Sequence, residues 1–212
     1  MKVDRARIVD EALQLLNEVG VDRLTTRALA IRLGVQQPAL YWHFKSKRAL
    51  LNAMNDEIQA RAPGRRAPLP GEPWRAFLEM NARNFHAGLT AWRDGARVHA
   101  GTEAGPQDLD QIEAQLRHLV EAGFSAVFAM DLVIAISRYT VGCVVEEQAE
   151  SVEDADRRAL DEGAKAYPLT AIAVHHYRTS SPAAAFELGL RLILDGAAAV
   201  LAGGEEEAND EP

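Results

Sequence analysis

Apolar residues recur every three or four positions along most of this chain, and no run alternates convincingly enough to predict a strand. Ile8, Ala12, Leu15, Leu16 and Val19 mark one face of a first helix from Asp4 to Gly20. Leu29 and Leu33 sit one turn apart on a second, with Thr25 or Thr26 as its cap and Gly34 as the left-handed residue that ends it. Pro38, whose fixed φ suits a first turn, opens a third helix running to about Phe44. A fourth starts near Ser46 and Lys47 and carries Leu50, Leu51, Met54 and Ile58. The segment from Arg61 to Pro73 is dense in proline and glycine and cannot continue a helix, so it marks a domain boundary.

Beyond the boundary, Trp74, Phe77, Leu78 and Phe85 form a stripe that places Asn81 in its middle. Arg93-Asp94-Gly95 breaks the chain, Ala96 to Ala100 allows a short helical turn, and Gly101 to Gln107 reads as a loop. Leu109, Ile112, Leu116 and Leu119 make another stripe with Gln115 at its edge. Ser125 to Glu147 is apolar nearly all round, the pattern of a helix covered on several sides. Ser151 to Lys165 is charged and aperiodic, a mobile loop or frayed helix, and Leu169 to Tyr177 is a short helix. Ser181 and Pro182 begin a last helix through Leu201, and the acidic tail after it is expected to be disordered. The pattern predicts an all-α fold: a helix-turn-helix head with its linking fourth helix over residues 1–62, a larger helical domain for ligand binding and dimerisation over 63–203, and a tail over 204–212.

Two helices as apolar as 125–147 and 182–201 exceed what one small domain can cover, which points to a homodimer sealed by a four-helix bundle, with Leu190 and Leu194 facing the second copy. The longest apolar run, around Ala126 to Val145, is interrupted by Asp131, Ser137, Arg138 and Thr140, and no signal segment opens the chain, so a cytoplasmic protein with no membrane partner is expected. The single cysteine, Cys143, reads as a buried free thiol.

The net charge of −8 alone argues against a nucleic-acid partner, but its distribution reverses that inference. Up to Arg48 there are nine Lys and Arg against five Asp and Glu, a net +4 that leaves −12 for the remainder. A basic head on an acidic body suits a protein that docks one end on phosphate. In that head, Arg27, Lys45 and Lys47 stand beside helix N-termini where phosphates bind. Gln37 can read an adenine edge, and Pro38, Ala39 and Tyr41 offer apolar surface to thymine methyls. Leu40 should point inward, and Trp42 reads as a packing residue.

Thr25, Leu29-Ala30, Leu33-Gly34-Val35, Leu40-Tyr41, His43-Phe44, Lys47 and Leu50-Leu51, at these spacings, are similar to the signature of the tetracycline repressor family of bacterial transcription factors. The resemblance implies double-stranded palindromic DNA as a partner, contacted by Arg27, Gln37, Pro38, Ala39, Tyr41, His43 and Lys47. It extends past the head. Arg93-Asp94-Gly95-Ala96-Arg97-Val98-His99 with Gly101-Thr102, Gly123-Phe124-Ser125, and Gly142-Cys143-Val144 with Glu146 resemble the regulatory domain of the tetracycline-binding members. That likeness implies a small-molecule inducer of tetracycline type bound with Mg²⁺ and contacted by Asn81, Phe85, His99, Thr102 and Gln115. His99 would bind the ion directly, while Thr102 and Glu146, the latter from a second subunit, would hold its waters.

Two positions depart from the pattern: Pro63 stands where a drug-binding histidine is expected, and Glu103 where an arginine is. Alternative readings are an effector-free DNA-binding regulator with a vestigial pocket, and an all-α enzyme using His99 and Glu146 as acid and base. No nucleophile motif, phosphate loop or zinc signature supports an enzyme, so the expectation is a ligand-responsive repressor without catalytic residues.

Overall fold

The computed structural model describes residues 3–102, 104–149 and 154–209, and among these it contains helices and no strand. The head comprises α1 (Arg5–Arg23), α2 (Thr26–Leu33), α3 (Gln37–His43) and the linking α4 (Lys47–Arg61). The body comprises α5 (Trp74–Thr90), α6 (Gly95–His99), α7 (Leu109–Glu121), α8 (Ala126–Glu147), α9 (Asp154–Ala164), α10 (Pro168–Thr179) and α11 (Pro182–Asn209).

Capping chemistry sets the head's boundaries. Asp4 Oδ1 accepts from Arg7 N at 2.9 Å, Thr25 Oγ1 from Ala28 N at 3.1 Å, and Ser46 Oγ from Ala49 N at 3.1 Å. The helical span of α1 runs on to Arg23, but Gly20 within it has φ 77° and ψ 169°, so the regular helix does end at that glycine. Gly34 closes α2 at φ 66°. The third helix begins at Gln37, one residue before Pro38, and stops at His43. At seven residues it cannot persist alone, and it is held by Leu40, which is buried as expected.

Two apolar clusters organise the chain. One joins Ile8, Leu16, Leu29, Leu40, Met54 and Ile58 of the head to Leu89, Ala96, Val98 and Val144 of the body. The second holds Phe77, Leu78, Leu119, Phe124, Leu132, Ile136, Phe186, Leu190 and Leu194. Because α6 belongs to the head-side cluster and packs on α4, α5 and α8, any displacement of α6 is felt directly by the helix that carries the head.

Several expectations require correction. Leu190 and Leu194, expected to face a second copy, are 1% and 0% exposed within this one chain. The apolar side chains of α8 and α11 that remain exposed are Val127, Val145, Leu188, Leu192 and Val200. Helical periodicity places residues two apart on different faces, so a stripe of both sets reads as one apolar helix until the chain's own packing separates them. The charged segment expected as a loop or frayed helix includes α9, which packs on α10 with Arg178 paired to Asp161. The backbone of α11 continues to Asn209, through the Glu- and Ala-containing stretch expected to be disordered; these are good helix formers, and residues 210–212 lie outside those described. Cys143 is half-buried rather than buried. By length and apolar composition α8 could cross a membrane, but here α5, α6, α7 and α11 pack on it.

Candidate functional site

Two surfaces carry the chemistry, one on α3 and one between α4, α5 and α6. On the first, Pro38, Tyr41, Lys45 and Lys47 are exposed, Gln37, Ala39 and His43 are half-buried, and Arg27 is exposed near the start of α2. Gln37 Nε2 donates to Thr26 Oγ1 at 2.8 Å, so the amide is held in one orientation before any partner arrives. Lys47 Nζ donates a long bond, 3.5 Å, to the Val21 carbonyl and stays exposed at the surface. Arg5 is stacked over the Phe44 ring at 4.9 Å, bracing the end of α3. Trp42, expected to pack, is 83% exposed, and Ile31 is 73% exposed. Apolar residue type had suggested burial, but Leu40 and Phe44 are the side chains that turn this segment inward, leaving Trp42 beside Tyr41 on the outer face.

The second surface centres on His99, the last residue of α6. Its Nδ1 lies 2.9 Å from Asn55 Oδ1 of α4, and its ring meets Phe85 of α5 edge-on at 4.9 Å. An amide oxygen accepts, so the ring proton sits on Nδ1 and the Nε2 lone pair is left for an external ligand. Burial, assisted by the Arg66 guanidinium, pushes the His99 pKa down, which keeps the ring neutral and able to donate that lone pair. Thr102 Oγ1 donates to the His99 carbonyl at 2.7 Å, so its own lone pairs remain as acceptors. These donors fit a hard cation that keeps most of its waters, the character of magnesium. Among the described residues no group of three His, Cys, Asp or Glu side chains forms a closed metal cage, so the remaining ligands would have to come from outside this chain.

The other expected residues lie on α5, α7, α8 and the segment between α4 and α5, and no bond joins them to His99 among the described residues. Asn81 is half-buried on α5, and its side chain makes no hydrogen bond among the described residues. Gln115 is buried and donates to the Arg66 carbonyl at 2.8 Å, tying α7 to the 62–73 loop. Pro63 is exposed at the start of that loop. Glu146 is exposed on α8, and Glu147 beside it is bonded to His86 at 3.0 Å. Glu103 lies outside the described residues. Asn55 was not anticipated from the sequence; it falls four residues after Leu51 in a stripe otherwise apolar, which was the available signal.

Head and body meet across a cleft of about 790 Å³ lined by residues of α1, the 93–97 segment and the end of α8. Val21 N donates to Asp94 Oδ2 at 2.8 Å, Arg93 N to Asn17 Oδ1 at 2.9 Å, and Arg97 Nη2 to Asp22 Oδ1 at 2.8 Å. Gly20 is required here, since a Cβ would stand 2.9 Å from Asp94 Oδ2 on a backbone already at positive φ.

The chain matches two family descriptions: "Bacterial regulatory proteins, tetR family" over residues 8–54 and "Tetracyclin repressor-like, C-terminal domain" over 67–201. It is 49% identical over 197 residues to the tetracycline repressor protein class A from transposon 1721 of Escherichia coli, spanning 93% of this chain and 91% of that one. The structure of TetR (class A) in complex with 5a,6-anhydrotetracycline and magnesium superposes with a TM-score of 0.72 at 43% identity, covering 92% of this chain and 98% of that chain. TetR from Acinetobacter baumannii AYE gives 0.75 at 40% identity, covering 94% and 98%. With both of its domains matched and relatives of this identity along nearly its whole length, the chain belongs to the tetR family of bacterial regulatory proteins.

Proposed function

We propose that this protein is a transcriptional repressor, not an enzyme, that binds a palindromic operator as a homodimer in the cytoplasm and is released by a tetracycline-like polyketide bound with Mg²⁺. The observation that carries the reading is the neutral, tautomer-fixed His99 at the end of the helix that shares its core with the head. Relatives that bear the name tetracycline repressor, and the class A structure with anhydrotetracycline and magnesium, support the ligand class.

On DNA, Gln37 would read a base edge, Pro38, Ala39 and Tyr41 would meet thymine methyls, and Arg27, His43 and Lys47 would hold the backbone. In the body, magnesium would be held through His99 Nε2, with waters reached by Thr102 and by Glu146 of the partner subunit. When bound it supplies the positive charge that fixes the effector's keto-enolate. The half-buried Asn81 offers a free amide to the far end of the ligand, and Phe85 offers an apolar edge. Gln115 can contribute by exchanging its bond to the Arg66 carbonyl for one to the ligand. Glu146 is exposed on the helix whose free apolar side chains also await a partner, which supports its reaching a second copy.

Drawing His99 toward a ligand moves α6 against α4 and strains the Asn55 bond, and the bonds of Asp94 and Arg97 to α1 carry the movement to the head. An effector that prefers the shifted arrangement lowers operator affinity by its differential affinity for the two states. Titration of tetracycline fluorescence with this protein tests the assignment. Binding that is lost with EDTA and in His99→Ala is the expected result; no binding by tetracycline or by other chelating polyketides would contradict it.

A further inference from the structure

We infer that Gln59 is an effector-binding residue, a hydrogen-bond donor to an acceptor oxygen on the ligand. This inference rests on the reading of the body as an effector pocket and names a contact within it. Gln59 is 8% exposed, yet its Nε2 has no hydrogen-bond partner among the described residues. A buried amide donor without a partner is destabilising, and such groups are few in native proteins. The side chain lies one turn after Asn55 on the same face of α4, and Asn55, itself 9% exposed, holds His99. Helix α4 packs on α5 and α6, which bring Phe85 and His99 together, and Asn55 on this face reaches α6 through His99. The helix therefore carries two buried amides one turn apart, the first engaged with His99 and the second unengaged.

The chemistry of the second amide specifies its partner. An NH₂ group requires an acceptor, and the Phe85 ring against His99 favours a ligand that is otherwise flat and apolar. A ketone, carboxamide or ionised enol oxygen on a fused-ring ligand meets both conditions. Gln59 would bear on the ligand's organic part and not on the ion, because the Asn55 bond directs the metal-binding lone pair to His99 Nε2 and an amide NH₂ has none to offer.

The test uses the full-length protein with tetracycline and Mg²⁺ as the probe, and variants Gln59→Leu, Gln59→Met and Gln59→Glu. Leucine and methionine remove the unpaired donor without removing the side chain's volume. They should raise the melting temperature of the effector-free protein and weaken tetracycline binding roughly tenfold, while the ratio of affinities with and without EDTA is preserved. Glutamate keeps the shape and substitutes an acceptor, so it should weaken binding at least as much. A merely structural glutamine would give the opposite signs, a lower melting temperature with affinity unchanged. Wild-type affinity in any of the folded variants overturns the assignment of Gln59 and leaves the repressor reading standing. Failure of the wild-type protein to bind the probe overturns the effector reading, and this contact with it.

Discussion

Leu192 gives the sharpest test of the proposed homodimer. It is 63% exposed on α11, with Leu188, one turn before it, 44% exposed, whereas Leu190 and Leu194 are sealed against α5 and α8. Fully burying a leucine side chain stabilises by about 1.5–3 kcal/mol, so covering the exposed part of Leu192 in a dimer is worth roughly 1–2 kcal/mol per copy. A twofold interface uses the same patch twice, giving about 2–4 kcal/mol in all, or roughly 30- to 1,000-fold in the dimer dissociation constant. Leu192→Lys should lose that and add the cost of desolvating two like charges, while the helix content and melting of the chain's own core remain near normal. Sedimentation velocity over a concentration series, with circular dichroism on the same samples, separates these effects. Leu194→Ala is the control: it opens a cavity within the chain and should cost about 2–5 kcal/mol of folding stability. If Leu192→Lys dimerises as tightly as wild type, or if Leu194→Ala proves the more selective dimer breaker, the assignment of faces is wrong.

The remaining predictions concern the head, the cleft and pH. Gln37→Ala should lose roughly 1–3 kcal/mol at one base position of each half-site, whereas Lys47→Ala should weaken all sequences alike and flatten the salt dependence, as read by anisotropy on a panel of duplexes. Asp94→Ala removes the acceptor for Val21 N and should cost about 1.5–3 kcal/mol of head-to-body coupling, seen as earlier hydrogen exchange in α1 with the body unaffected. Burial and the neighbouring Asp108 push the Asp56 pKa up, so its ionised form is disfavoured in the fold. Its contribution to stability is present at low pH and lost as pH rises from the unfolded value through the raised folded one, and Asp56→Asn should abolish that acid-side slope in melting temperature.

The head was legible because its boundaries depend on local chemistry: Thr25, Ser46 and Gly34 perform the capping roles their residue types suggest. The pocket was legible only in part. His99, Phe85 and Thr102 do converge, but Asn55 and Gln59 escaped notice because α4 read as the link to the head, and only its packing on α5 and α6 shows that these amides are buried. The same limit misplaced Trp42 and the pair Leu190 and Leu194: apolar residue type signals burial somewhere, and only the tertiary arrangement tells whether the cover is the chain's own core, a second copy or nucleic acid. The segment of α9 is short, rich in charge and packs mainly on α10, so its helix had little of the main core to face and was hidden by its charges.

The most direct test of the account is an anisotropy titration in which wild-type protein, bound to a labelled palindromic duplex selected from random sequence, is challenged with tetracycline in the presence and absence of Mg²⁺. The complex should form without either, and the duplex should be released only when both are added and EDTA is absent. A complex that stays intact with both present, or one that tetracycline dissociates equally well in EDTA, would contradict it.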